Sequence, residues 1–98
     1  MAVMMIMEWK GVTAEQYEQV RRSVKWETDV PDGAMFHVAS IGDGALHVTD
    51  IWQSPDEFNR FVQDRLTAGV QQAGIQSQPD VKVYPVQAIF NPFPDKLK

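Results

Sequence analysis

The strongest candidates for proton-transfer chemistry in this sequence are one histidine and one aspartate, His37 and Asp50. They lie in two strand-like runs on either side of a Gly-Asp-Gly segment, residues 42–44. If Asp43 and Gly44 form a two-residue type I′ turn, His37 faces Asp50 across the resulting hairpin. A carboxylate beside an imidazole fixes the ring tautomer and favours its protonated form. Such a pair is suited to act as a general base towards a phenolic or α-carbonyl proton.

The register of this hairpin decides whether the pair exists. A three-residue loop with Gly44 in the left-handed conformation is also common, and it would set His37 opposite Thr49 instead. Even in the first register, a hydrogen-bonded histidine and aspartate in neighbouring strands can be a catalytic pair. They can equally be a structural pair whose only role is to satisfy each other's hydrogen bonds. Both interpretations stay open at the level of sequence.

The elements that must position these residues follow the order β1-α1-β2-β3-α2-β4. Capping boxes predict the starts of both helices, Thr13 with Gln16 and Ser54 with Glu57. The predicted strands cover residues 3–9, 34–41, 45–52 and 81–86. The predicted helices run from 13 to about 27 and from 54 through 66, and a further helical turn is predicted over 70–74. This order predicts an α+β, ferredoxin-like βαββαβ fold: an antiparallel sheet with two helices on one face. We expect one domain over 1–98, in which 88–98 form an extended C-terminal tail.

The predicted strands carry apolar side chains on both faces of the sheet, although helices can cover only one. One set comprises Met4, Ile6, Phe36 and Val38, and the other comprises Val3, Met5, Met7, Met35 and Ile41. An apolar sheet face is unusual on a monomer, so a homodimer through the sheet faces is expected. A monomer with an exposed apolar face is the alternative.

Composition argues against several functional classes. The formal charge is −4 and the nine basic residues are scattered, so neither nucleic acid nor a membrane is expected as a partner. The seven-residue apolar start lacks the features of a signal peptide, and a cytoplasmic protein is the default expectation. With no cysteine, two histidines and no dense carboxylate cluster, no metal site is predicted. His47 would lie on the opposite face of the sheet from Asp50, so the two histidines cannot form a metal pair. No glycine-rich loop has the spacing of a nucleotide-binding motif, so no cofactor is expected.

With these motifs placed, nearly the whole chain resembles the small dimeric α+β barrel proteins of the antibiotic biosynthesis monooxygenase-like superfamily. The resemblance is carried by segments 8–13, 31–33, 37–39 and, most tellingly, 51–58, Ile-Trp-Gln-Ser-Pro-Asp-Glu-Phe. It implies that two sheets meet in a barrel with the helices outside. It also implies a pocket in each subunit between its own sheet and helices.

The resemblance also suggests which residues meet a ligand. The haem-degrading branch has an iron-binding histidine on the second helix, and residues 54–68 contain none. The oxygenase branch has a tryptophan at the end of the third strand, which Trp52 matches, and pocket asparagines, which Asn59 matches in type only. The candidates for substrate binding are Trp52, Phe36, Phe58, Asn59 and Trp26. The charged residues of α1, by contrast, have the spacing of a solvated helix face.

Three functions are compatible with these features. The first is a cofactor-independent, monooxygenase-like enzyme acting on a small aromatic or polyketide-like molecule, with His37 as base, Asp50 orienting it and Trp52 packing on the substrate. The second is a non-catalytic small-molecule-binding or stress-associated dimeric barrel protein. The third is an assembly module whose tail engages other proteins.

Overall fold

The computed structural model of the protein describes residues 1–91. Its elements are β1 (Val3–Lys10), α1 (Ala14–Val24), β2 (Ala34–Gly42), β3 (Ala45–Trp52), α2 (Pro55–Phe61), a π-helical segment (Val62–Leu66), α3 (Thr67–Gln72) and β4 (Asp80–Pro85). All neighbouring strands are antiparallel, in the sheet order β2-β3-β1-β4. The predicted α+β ferredoxin-like fold is confirmed.

Helix α1 begins as predicted and ends early. The Thr13 hydroxyl accepts a hydrogen bond from the backbone N–H of Gln16 (3.1 Å), and the Gln16 side chain in turn accepts from the Thr13 N–H. The helix ends at Val24, before the predicted end near Glu27, because Lys25 adopts a left-handed conformation with φ of 57°. This geometry stops the helix and starts a tight turn.

The second helical stretch is longer and less regular than predicted. The Ser54 hydroxyl accepts from the N–H of Glu57 (3.3 Å), and Pro55 occupies the first helical position. The helix then widens into its π-helical segment and continues as α3 beyond it. The Thr67 hydroxyl donates to the Val62 carbonyl (2.9 Å) and satisfies a backbone acceptor in this widened part.

The two faces of the sheet differ in their cover. On the helix side, alternate residues of β1 and β3 are buried: Val3, Met5, Met7, Trp9, Leu46, Val48, Asp50 and Trp52. On the other side, Ile6, Val38 and Tyr84 are 39, 48 and 46% exposed. We call this second surface the open face; it also carries Met4, Phe36 and Ile51. The apolar set without intramolecular cover is therefore the one that contains Met4 and Ile6.

The edge strand β4 pairs with β1 and leaves the sheet at Pro85, one residue earlier than predicted. The Val86 N–H then donates to the Ala2 carbonyl (3.0 Å), after which the chain has no regular secondary structure up to Asn91. Most of the predicted tail, 88–98, lies outside the described residues. Within residues 1–91, no helix has both the length and the apolar character to span a membrane.

Candidate functional site

The hairpin between β2 and β3 has the register that places the candidate pair together. Asp43 and Gly44 both have positive φ, 53° and 74°, as a two-residue type I′ turn requires. His37 is consequently the cross-strand partner of Asp50. The register predicted from the two-residue turn is confirmed, and the three-residue loop is excluded.

A chain of hydrogen bonds runs through this pair from the core to α1. Trp52 Nε1 donates to Asp50 Oδ2 (3.1 Å), and Asp50 Oδ1 lies 2.6 Å from His37 Nδ1. His37 Nε2 lies 2.6 Å from the hydroxyl of Tyr17. Asp50 is the one buried charged residue among those described, and both of its oxygens have partners. Partners of this kind are what make a buried carboxylate tolerable in a small core.

The direction of these hydrogen bonds follows from donor and acceptor chemistry. An ionised Asp50 can only accept, so Nδ1 of His37 carries a proton. When the ring is neutral, its Nε2 accepts and Tyr17 is the donor. Burial raises the pKa of the Tyr17 hydroxyl, and the Arg21 guanidinium partly opposes that rise. The raised pKa keeps Tyr17 protonated, as its donor role needs.

Aromatic rings enclose the imidazole. Trp26, which follows the left-handed turn after α1, lies with its ring centroid 4.7 Å from that of His37. The same indole packs edge-on against Trp52 (5.7 Å) and Phe61 (5.6 Å). The early end of α1 thus brings Trp26 against the site, and this tight aromatic packing restricts the orientation of the ring.

Charged side chains stand where this site meets solvent. Arg21 forms ion pairs with Glu27 and, at 3.2 Å, with Glu18. The hydrogen bond from Arg21 lowers the pKa of Glu27, and the same bond raises the pKa of Arg21. The sequence predicts these residues to be a solvated helix face. Arg21 and Glu27 are indeed exposed, whereas Glu18 is half-buried. Arg21 and Glu27 also line a cavity between the sheet and the helices.

A cavity of about 80 Å³ lies between the sheet and the helices. Tyr17, His37 and Asp50 contribute its polar wall, and Arg21 and Glu27 its charged one. Its remaining lining is apolar and includes Met5, Val48, Trp26 and Phe58. A mostly apolar pocket with a few convergent polar groups is typical of small-molecule sites.

The structure brings together some of the predicted site residues and separates others. His37, Asp50, Trp26 and Phe58 line the cavity. Trp52 is fully buried and supports Asp50 without belonging to the lining.

Two predicted substrate-binding residues lie elsewhere. Phe36 lies on the open face, opposite Ile51, because neighbouring residues of a strand point to opposite sides of the sheet. Asn59 lines a separate groove and not this cavity, because it is rotated about 100° around the helix from Phe58. The expected placement of Phe36 and Asn59 in the pocket is therefore corrected.

Tyr17 joins the candidate site through a hydrogen bond that the sequence did not predict. Its helical spacing with Val20 and Val24 predicts that it faces the core, and a place in the pocket lining follows from that. The hydrogen bond to His37 depends on the distance between α1 and β2, about which the sequence says nothing. Within residues 1–91, no three histidine or carboxylate side chains are grouped to hold a metal ion.

Comparison with known proteins identifies the fold. No protein-family model matches the chain, and no curated protein matches it in sequence. Among solved structures, SnoaB, a cofactor-independent oxygenase from Streptomyces nogalater, is 12% identical, with a TM-score of 0.64 over 90% of this chain and 94% of SnoaB. A provisionally assigned antibiotic biosynthesis monooxygenase from Caulobacter crescentus is 14% identical, with a TM-score of 0.67 over 91% of both chains. The chain shares the fold of these solved structures.

Likeness to these structures describes the architecture of the chain and does not define its chemistry. NE2512 from Nitrosomonas europaea, a protein of unknown function, is 11% identical and has a TM-score of 0.71 over 94% of this chain and 95% of its own. One fold thus accommodates an oxygenase and a protein without an assigned role. The reaction has to be argued from the residues around the cavity.

Proposed function

We propose that this protein is a cofactor-independent, monooxygenase-like enzyme that acts on a small phenolic or enolisable aromatic molecule. The observation that carries the proposal is the chain from Asp50 through His37 to Tyr17, which ends at the wall of an apolar cavity. SnoaB, with the same fold, is a cofactor-independent oxygenase, which supports the reaction class.

In this mechanism Tyr17 is the group that meets the substrate. As the substrate gives its proton to the Tyr17 oxygen, the Tyr17 proton passes to His37 Nε2. Asp50 holds the ring in the required tautomer and stabilises the imidazolium that forms. Trp52 positions Asp50 through the donor on its indole ring. The net result is a substrate anion in a mostly apolar cavity, where that anion is easily oxidised.

In the reaction with oxygen, the substrate itself must supply the electrons. The anion transfers electrons to O₂. A ring CH₂ group, which a phenol has in its keto tautomer, becomes C=O while one molecule of water is released. The carbon loses four electrons and O₂ gains four; one oxygen atom enters the product and the other leaves in water. One hydrogen of the released water is the proton held by His37, and the other comes from the oxidised carbon. Because the substrate supplies all four electrons, no further reductant is needed. The apolar lining favours O₂ over water in the cavity.

A second candidate function is non-catalytic binding of a small molecule, in a stress-associated or similar dimeric barrel. One specific feature favours it. Both ring nitrogens of His37 already have partners within the protein. A fully satisfied imidazole is what a structural pair would show. In this alternative, the pair orients the wall of the cavity and no proton moves.

Turnover assays separate the two functions. Phenols and small enolisable aromatic ketones are screened by oxygen consumption and by incorporation of one atom from ¹⁸O₂. We expect His37→Ala and Tyr17→Phe each to lower the turnover rate at least about a hundredfold. The control Tyr84→Phe, which removes a hydroxyl on the open face, should keep full activity. Ligands that raise thermal stability without any product would support the binding protein and end the oxygenase proposal.

We also propose that the open face is covered by a second copy of the chain, so that the protein is a homodimer. Ile6, Val38 and Tyr84 leave apolar surface in water on a sheet whose helices are all on the other side. A sheet face of this kind suits a two-fold interface because each copy presents the same patch. A cytoplasmic location stays a prediction.

A further inference from the structure

A second, larger groove lies beside the cavity, between the second helical stretch and strands β1 and β4. Its volume is about 480 Å³, within the range of small-molecule sites. Val62 and Leu66 of the π-helical segment line it on one side, and Val81 of β4 lines it on the other. Val81 is 38% exposed although its cross-strand partner Met7 is buried, so the sheet is uncovered at this point.

The chemistry of the groove points to a neutral occupant. None of the described residues that line it is charged. Asn59, Gln71 and Gln78 contribute amides, and the rest of the lining is mainly apolar. An ionic group entering the groove would lose hydration without gaining an opposite charge. An alkyl or aryl chain would lose no favourable hydration on entering the groove. The amides could form hydrogen bonds with a hydroxyl or carbonyl group on that chain.

The groove and the cavity share a wall. Six side chains line both spaces: Met7, Trp9, Phe58, Leu66, Val70 and Ile75. Trp9 is fixed, because its Nε1 donates to the carbonyl and hydroxyl oxygens of Ser77 (both 3.0 Å). Leu66, Val70 and Ile75 are only half-buried, and Leu66 ends the π-helical segment. Segments of this kind often occur at functional sites.

From this arrangement we infer that the groove binds the apolar tail of the substrate whose acidic hydroxyl lies at Tyr17 and His37. The substrate would be an uncharged phenol with an elongated apolar substituent that passes the wall at Leu66, Val70 or Ile75. The inference rests on the proposed function, because the phenolic end is assigned by the Tyr17–His37 chain. The cavity of about 80 Å³ takes only the ring, and the groove supplies the remaining space.

The test is a series of 4-alkylphenols, from phenol to 4-octylphenol, titrated into the full chain by calorimetry. Each methylene that enters the groove should tighten binding by up to about fourfold. Val81→Trp fills the groove and should abolish this dependence on chain length while leaving the affinity for phenol unchanged. Val83→Trp is the matched control, because Val83 is a similarly exposed valine of β4 on the same sheet face that does not line the groove.

Each outcome has a definite meaning. A chain-length dependence that is present in the wild type and in Val83→Trp but lost in Val81→Trp supports the inference. Phenol binding without any dependence on chain length, or a dependence that Val81→Trp leaves intact, overturns the inference and spares the proposed function. If no phenol of any length binds, the inference falls, and so does the proposed function for phenolic substrates. Urea unfolding of the two tryptophan variants verifies that each is folded.

Discussion

The two faces of the sheet are made by the same strands and have opposite properties. In β3, Val48, Asp50 and Trp52 are buried against the helices, whereas Thr49 and Ile51 between them are only half-buried on the open face. The buried face contains the hydrogen-bonded chain and the cavity. The open face carries apolar side chains such as Ile6 beside polar ones such as Thr49 and Lys82, and none of the groups that the proposed reaction uses. Strand alternation thus separates the proposed chemistry from the proposed dimer contact.

The difference also shows how a charge is kept in a small core. Asp50 is 4% exposed and receives hydrogen bonds from an indole and an imidazole. Both donors come from aromatic residues, so the carboxylate is satisfied without a lysine or arginine. Its neighbours on the open face need no such arrangement because they lie nearer to water. The buried face should therefore be the more sensitive of the two to substitution.

The largest expected effect is at the centre of the buried face. Trp52→Ala should lower the free energy of unfolding by about 3–5 kcal/mol, because it removes a fully buried indole and the Asp50 donor. Ile51→Ala, the neighbour on the open face, should cost less than about half as much. Urea unfolding at low protein concentration measures both. Equal losses of stability in the two variants would show that the buried face is no more sensitive to substitution than the open face.

A charge on the open face should act on association and leave the fold intact. Val38→Glu would bury a carboxylate from each subunit in the proposed interface and weaken dimerisation at least about a hundredfold. Ile41→Glu is the matched control: Ile41 lies on the same strand with similar exposure, but pairs with Leu46 on the helix side. Sedimentation velocity reads the outcome. If the wild type is a monomer, or if both variants dissociate alike, the open face is not the dimer interface.

The smallest expected effect concerns the hydroxyl that ends the hydrogen-bonded chain. Tyr17→Phe should cost about 1 kcal/mol at neutral pH. Because burial raises the pKa of Tyr17 in the folded state, the unfolded chain ionises first. The Tyr17 contribution is therefore complete below about pH 10 and is lost as the pH rises towards the folded-state pKa.

Urea unfolding between pH 8 and 11 checks this prediction. The wild type should lose stability more steeply than Tyr17→Phe over this range, and the control Tyr84→Phe should retain the wild-type decline. If Tyr17→Phe declines as steeply as the wild type, the Tyr17 hydroxyl does not contribute in this way.

The sequence by itself determined the features that depend on local chemistry. Caps at Thr13 and Ser54 start the helices, and the order of strands and helices leads to the ferredoxin-like sheet. The hairpin sequence narrowed the register to two choices, one of which pairs His37 with Asp50. These features were predictable because turns, caps and strand alternation are set by residues close together in the chain.

Only the tertiary structure decided what stands around that pair. It selected the two-residue turn, ended α1 at Lys25 so that Trp26 meets His37, and brought the Tyr17 hydroxyl within 2.6 Å of the ring. It also sent Phe36 to the open face and opened a groove beside the π-helical segment. These outcomes depend on how closely helices dock on the sheet, which is fixed by packing among residues far apart in sequence.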